Sequence, residues 1–209
     1  MAKITGLKYQ KKNKERVSLY LDGRFAFGLP EIVAARLAVG QFLTEAEIEA
    51  LRERGTVEDA YERALDYLSY RPRSEAEMVT YLRRHDVSEA QAEAAIERLK
   101  GAGLIDDEAF ARFWVENRER FRPRGVRALR YELRGKGLGS EAIDQALEGM
   151  DLAASAYEAA AKKARQLSSL DQAEFERKLV EYLARRGFDY EVAREAARRY
   201  WVEAIQGSS

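Results

Sequence analysis

The sequence predicts a mainly α fold: a tandem repeat of three-helix modules, elongated and curved, behind a small N-terminal β-hairpin or three-stranded region with short helices. Three observations carry this expectation. Residues 3–29 alternate apolar and polar around an Asp-Gly turn, residues 56 onward place apolar residues at i, i+3, i+4, and that helical part is self-similar at offsets of 51 and 50 residues. Charged residues are 34% of the 209, well above the usual quarter, and so much charge needs the surface of a thin array.

In the N-terminal part, Val17, Leu19 and Leu21 alternate with Arg16, Ser18 and Tyr20; Asp22-Gly23 then turns the chain into Phe25, Phe27 and Leu29. Residues 3–10 supply a third strand, with Lys11, Lys12, Asn13, Lys14 and Glu15 as its exposed turn. A sheet this small needs a cover. Pro30 opens a short helix over 31–38, and Thr44 with Glu47 forms a capping box that starts another helix, expected to stop at Gly55.

The repeat is read by laying Arg71-Pro72-Arg73 over Arg122-Pro123-Arg124. Met78 then falls on Leu129, Leu82 on Leu133, Arg83 on Arg134 and Val87 on Leu138; a third copy puts Leu179, Leu183, Gly187 and Phe188 on the same track. Ser74 with Glu77 and Ser88 with Gln91 are further capping boxes, and Gly101, Gly103, Gly135–Gly139 and Gly187 are stops. A unit of this size buries its apolar stripe only against neighbours, so such units come in tandem. The expected division is an N-terminal extension over 1–55 and modules over 56–105, 106–150 and 151–206. Phe110, Phe113, Trp114 and Phe121 read as a thick inter-helix core.

Net charge is zero, from 36 Lys+Arg against 36 Asp+Glu, but it is segregated. Residues 112–136 hold nine basic and three acidic residues, a net +6, and residues 1–24 hold seven and two, a net +5; residues 45–62 and 86–108 are each −5. After Pro123, Arg127, Arg130 and Arg134 share one helix face, where like charges repel, so an anionic partner is expected there.

No Cys and a single His, His85, exclude disulfides, thiolate zinc sites, iron–sulfur clusters and two-histidine metal sites, and argue against an enzyme. No phosphate-cradling loop occurs, because Gly135-Lys136 is followed by Gly137. Asp106, Asp107 and Glu108 precede a helix and read as its cap. No cofactor is expected. No run of about 18 apolar residues occurs, so no membrane span is expected, and the start of the chain lacks a signal peptide's apolar stretch, which makes the cytoplasm the expected location. Gly135 to Gly139 faintly resembles the turn of helix-hairpin-helix DNA-binding domains, which leaves a stand-alone DNA-binding protein as the alternative function.

Tyr70 to Met78, Leu104 to Ala111, Arg122-Pro123-Arg124-Gly125 and Leu133 to Leu138 together resemble the RecX family of bacterial regulatory proteins. The match is close over residues 60–150 and extends to about residue 200. The third module has Ser169-Leu170-Asp171 in place of Arg-Pro-Arg. The resemblance implies a non-enzymatic protein that binds the RecA recombinase and lies in the groove of the RecA–DNA filament. It implies inhibition of ATP hydrolysis and strand exchange, weak contact with single- or double-stranded DNA, and a monomer without membrane contact. The candidate contact residues are Arg71, Arg73, Arg83, Arg84, Arg122, Arg124, Arg127, Arg130, Arg134 and Lys136, with Lys11, Lys12 and Lys14 as secondary candidates.

Overall fold

The computed structural model describes residues 1–11 and 13–206, so Lys12 lies outside the described residues. The chain divides after Ile105 into two compact units. The first opens with strands β1 (Ala2–Tyr9), β2 (Arg16–Leu21) and β3 (Arg24–Pro30), then a one-turn helix α1 (Glu31–Ala34), strand β4 (Phe42–Leu43) and helices α2 (Glu45–Ser69), α3 (Glu75–Arg83) and α4 (Glu89–Gly101). The second holds α5 (Asp107–Phe121), α6 (Val126–Gly135), α7 (Ser140–Leu147), α8 (Leu152–Gln166), α9 (Gln172–Arg185) and α10 (Tyr190–Gln206).

The sheet is antiparallel, in the order β3-β2-β1-β4. Ile4, Val17, Leu19 and Leu29 point to its covered face and pack with Ala34, Leu43 and Leu51. The Asp22-Gly23 turn has φ of 49° and 80°, as a two-residue hairpin requires. Two details depart from the sequence reading. The short helix stops at Ala34 instead of Ala38, because the chain turns back to hydrogen-bond along β1: Ile4 donates to the Gln41 carbonyl and Gly40 to that of Ile4, both at 2.8 Å. The two residues that follow form the fourth strand.

Gly55 does not stop its helix. α2 runs unbroken for 25 residues from the Thr44 capping box, whose hydrogen bonds hold the Glu47 carboxyl below its ordinary range. Glycine inside a helix costs about 1 kcal/mol, but a Cβ at Gly55 would lie 2.8 Å from Leu29 Cδ2, so the missing side chain lets the sheet pack on the helix. The two halves of α2 serve different cores. Leu51 packs under the sheet, while Ala64 joins Met78, Leu82, Ala92, Ile96 and Leu99 in the first module.

Each module of the second unit keeps its own core. Phe110, Leu129, Leu133, Leu138 and Ile143 form one, and Phe175, Leu179, Leu183, Phe188 and Ala193 the other. Of the aromatics read as core, only Phe110 is fully buried; Trp114 is partly covered, and Phe113 and Phe121 are 39% and 65% exposed.

All three modules end their second helix in the same way. Val87, Leu138 and Phe188 donate to the carbonyls of Leu82, Leu133 and Leu183, each at 3.2 Å. The preceding residues, Asp86, Gly137 and Gly187, have φ of 60°, 84° and 90°. This is the Schellman stop, whose left-handed residue favours glycine.

In the second unit this turn is also a joint. A Cβ on Gly125, the N-cap of α6, would lie 2.2 Å from the Gly187 carbonyl oxygen, and one on Gly187 would lie 2.4 Å from the Ala128 nitrogen. Gly125 N–H donates to the Arg186 carbonyl at 3.0 Å. Arg127 reaches across to the Ala184 carbonyl at 2.7 Å, and Arg186 reaches back to that of Pro123 at 3.1 Å.

Two predictions follow from these contacts. Gly125→Ala is expected to destabilise the second unit by at least about 1–3 kcal/mol in urea denaturation, whereas Gly135→Ala, which has open space and ordinary φ, is expected to stabilise it by about 0.4–1 kcal/mol. Asp86→Gly is expected to stabilise the first unit by about 0.5–1 kcal/mol in the same assay, by relieving a left-handed non-glycine residue.

Candidate interaction surface

The basic residues divide into those that hold a module together and those that do not. In the first unit, Arg71 donates twice to Glu77, at 2.9 and 3.2 Å, and once to the Pro72 carbonyl. The Arg73 guanidinium lies 3.8 Å over the Tyr67 ring, which stacks at 3.8 Å on Tyr81, and the His85 ring packs beside Tyr81. His85 Nδ1 lies 2.9 Å from the Tyr81 carbonyl oxygen, as suits a residue at a helix end. Arg83 and Arg84 stand exposed at the C-terminal end of α3, where the free carbonyls of the helix favour positive charge.

In the second unit, Glu132 is the hub. It accepts from Trp114 Nε1 at 2.9 Å and from Arg118 Nε at 2.7 Å. Arg124 Nε lies 3.0 Å from its other oxygen, off the hydrogen-bonding direction, so that contact is ionic. Arg118 and Lys136 lie 4.6 and 4.9 Å from the Trp114 ring centre. Arg130 pairs with Asp144, and Arg127 is committed to Ala184. Within the chain a carboxylate therefore offsets the charge of one of the three α6 arginines, Arg130, and a carbonyl holds a second, Arg127, in place. In the third module Arg199 lies over Tyr157, which stacks on Tyr200. The Tyr157 hydroxyl donates to Glu203, which with Arg199 holds that carboxyl below its ordinary range, and burial pushes Tyr200 up.

Among the described residues, the side chains of Arg83, Arg84, Arg122 and Arg134 make no ion pair, hydrogen bond or ring contact. Arg134 borders a shallow concavity with Trp114, Tyr131 and Lys136, and Tyr131 is 81% exposed. Sequence reasoning missed Tyr131. Its signal is position: four residues after Arg127 and three before Arg134, it shares their solvent face. Lys11 and Lys14 are exposed beside β1 and β2.

The Gly135–Gly139 turn is a helix stop. The amides of Lys136, Gly137 and Leu138 all donate back to carbonyls of α6, which leaves those three unavailable to a phosphate. Asp106 caps α5 through Ala109 N–H at 3.0 Å, as its sequence position indicated. Among the described residues no helix is long and apolar enough to cross a membrane.

The fold and this distribution of cations define a tandem three-helix-module protein with an N-terminal sheet. Four family models match it in chain order: "Regulatory protein RecX N-terminal domain" over residues 2–44, and "RecX, first three-helix domain", "second three-helix domain" and "third three-helix domain" over 60–99, 106–147 and 151–197. The regulatory protein RecX of Limosilactobacillus reuteri is 36% identical over 188 residues, covering 89% of this chain and 64% of that protein, so the chain spans less than two thirds of that relative. The regulatory protein RecX of Bacillus licheniformis is 32% identical over 213 residues, covering 100% and 81%. A crystal structure of regulatory protein RecX superposes with a TM-score of 0.76 at 35% identity, over 92% of this chain and 97% of that one. RecX from Lactobacillus salivarius, at 23% identity and a TM-score of 0.64 over 70% of this chain and 97% of that one, shares the fold. The chain belongs to the RecX family.

The division of arginines predicts how they respond to removal. Arg118→Ala is expected to cost about 1–2 kcal/mol of stability by leaving Glu132 short of a charged donor, whereas Arg134→Ala is expected to stay within about 0.5 kcal/mol of the parent. Chemical denaturation of both variants checks this.

Proposed function

We propose that the chain binds RecA filaments on DNA and inhibits their ATP hydrolysis and strand exchange by occupancy, as a cytoplasmic monomer without chemistry of its own. The observation that carries this reading is a repeated free cation. Arg83 and Arg134 occupy the same position in consecutive modules, 51 residues apart, and both are exposed and unpaired. A cation repeated once per module suits a partner that is itself a repeat of identical subunits. The third module has Ala184 at that position and contributes no such charge.

The primary contacts in this proposal are Arg83, Arg84, Arg122 and Arg134, which meet RecA carboxylates or filament-bound DNA phosphate. Arg71, Arg73, Arg124, Arg127, Arg130 and Lys136 frame them, and contribute through the surface they hold in place. Lys11, Lys12 and Lys14 are secondary. We divide the chain functionally into residues 1–55, 56–105, 106–150 and 151–206, with the second half of α2 serving as the first helix of the first module.

Binding of the fluorescently labelled protein to RecA filaments locked on single-stranded DNA tests the assignment. Arg83→Ala with Arg134→Ala is expected to weaken filament binding about tenfold, with the melting temperature unchanged. Parental affinity in that double variant would remove these arginines from the contact. Binding to bare DNA of equal strength, with a salt slope growing by about 0.7–0.9 for each phosphate contact, would favour the stand-alone DNA-binding reading.

A further inference from the structure

The face of the N-terminal sheet turned away from α2 has no part in the surface described above, yet it is not an ordinary polar face. The register pairs Phe42 of β4 with Lys3 of β1, and Gly6 of β1 with Tyr20 of β2 and so with Phe25 of β3; the aromatic positions therefore run diagonally across the four strands. Across the strands the set spans about 14 Å, three strand spacings, and the step from Lys3 to Gly6 offsets its two ends along β1. Phe25 and Phe42 are 60% and 61% exposed. The Tyr20 side chain lies over Gly6, where a Cβ would come within 3.5 Å of it, and the Phe25 ring meets it edge-on at 6.0 Å.

Positive charge sits on the rings themselves. Lys3 Nζ lies 5.7 Å from the Phe42 ring centre, and Lys8 Nζ lies 5.2 Å from that of Tyr20. Among the described residues neither lysine meets a carboxylate, and no acidic residue falls on the strand positions of this face. Asp22, at the turn, is committed elsewhere: its carboxylate accepts the Lys3 backbone N–H at 2.9 Å. Thr5 donates to the Tyr20 carbonyl and accepts from Gly23 N–H, so the hairpin tip and the bulge in β1 are locked together.

We infer that this face is a binding site for single-stranded nucleic acid, with bases stacked on the exposed Phe25 and Phe42, Tyr20 backing Phe25, and phosphates taken by Lys3 and Lys8. Exposed rings interleaved with cations on a sheet match the two demands of an unpaired strand, a π-face for each base and a positive charge along the backbone. A duplex hides its base faces and meets only the lysines. An acidic peptide likewise uses the lysines and leaves the rings without a partner. The inference stands on the sheet alone and does not depend on a recombinase partner.

Fluorescence anisotropy of the full chain with a labelled oligothymidine of about 15 nucleotides tests it. The protein is expected to bind this strand more tightly than a duplex of the same length. Phe25→Leu with Phe42→Leu, which keeps the face apolar, is expected to weaken binding about tenfold or more. Lys3→Gln with Lys8→Gln, which leaves the sheet core untouched, is expected to lower the slope of log affinity against log salt by about 1.4. Equal affinity for the duplex, displacement of the strand by an equal charge of poly-glutamate, or parental binding by either double variant would overturn the assignment.

Discussion

Gly125 and Gly187 meet with no room for a side chain on either, and the second unit is arranged around that contact. The backbone of one module rests directly on the turn of the next. Because the approach is so close, an N–H reaches a carbonyl across the joint, and two arginines bridge it in opposite directions. The cores on either side stay separate. Two three-helix modules, each with a small core of its own, are thereby coupled through backbone geometry, which is how stacked repeats gain stability from neighbours. The Schellman stop that builds the turn recurs in all three modules, with glycine in two of them and Asp86 in the first.

This architecture decides what the basic residues are for. A neutral chain with a +6 segment suggests a ready anion-binding strip, yet most of that strip is occupied. Arg118, Arg124 and Trp114 converge on Glu132; Arg130 and Arg127 have partners of their own. Within the strip, among the described residues, Arg122 and Arg134 keep side chains without a partner, and Arg134 shares its repeat position with the equally exposed Arg83 of the first module. The charge left for a partner is set by which side chains the folding of each module leaves over, and net charge conceals that remainder.

Much of the fold was legible because its signals are local. The capping boxes at Thr44, Ser74 and Ser88, the Asp-Gly hairpin and the 51- and 50-residue offsets all reappear in the fold. The failures are of one kind. Gly55 looks like a helix stop over a few residues, but the sheet that needs its small size lies more than 20 residues earlier, at Leu29. β4 is two residues long and exists only because β1 offers an edge. On α6 the spacing of Arg127, Arg130 and Arg134 is plain, while the Ala184 carbonyl that engages the first and the Asp144 carboxylate that pairs the second lie 57 and 14 residues away. Tyr131 carries no motif of its own in the sequence, and its 81% exposure is a property of packing.

On the function proposed above, this member of the RecX family acts on the RecA filament itself. The most direct measurement is ATP hydrolysis by RecA on single-stranded DNA, titrated with this chain from far below stoichiometric upward. Loss of hydrolysis is expected at ratios below one chain per RecA subunit, since contacts repeated from module to module let one chain occupy more than one subunit. Hydrolysis that stays at its starting rate until the chain saturates the DNA would contradict it, and would mean simple competition for the strand.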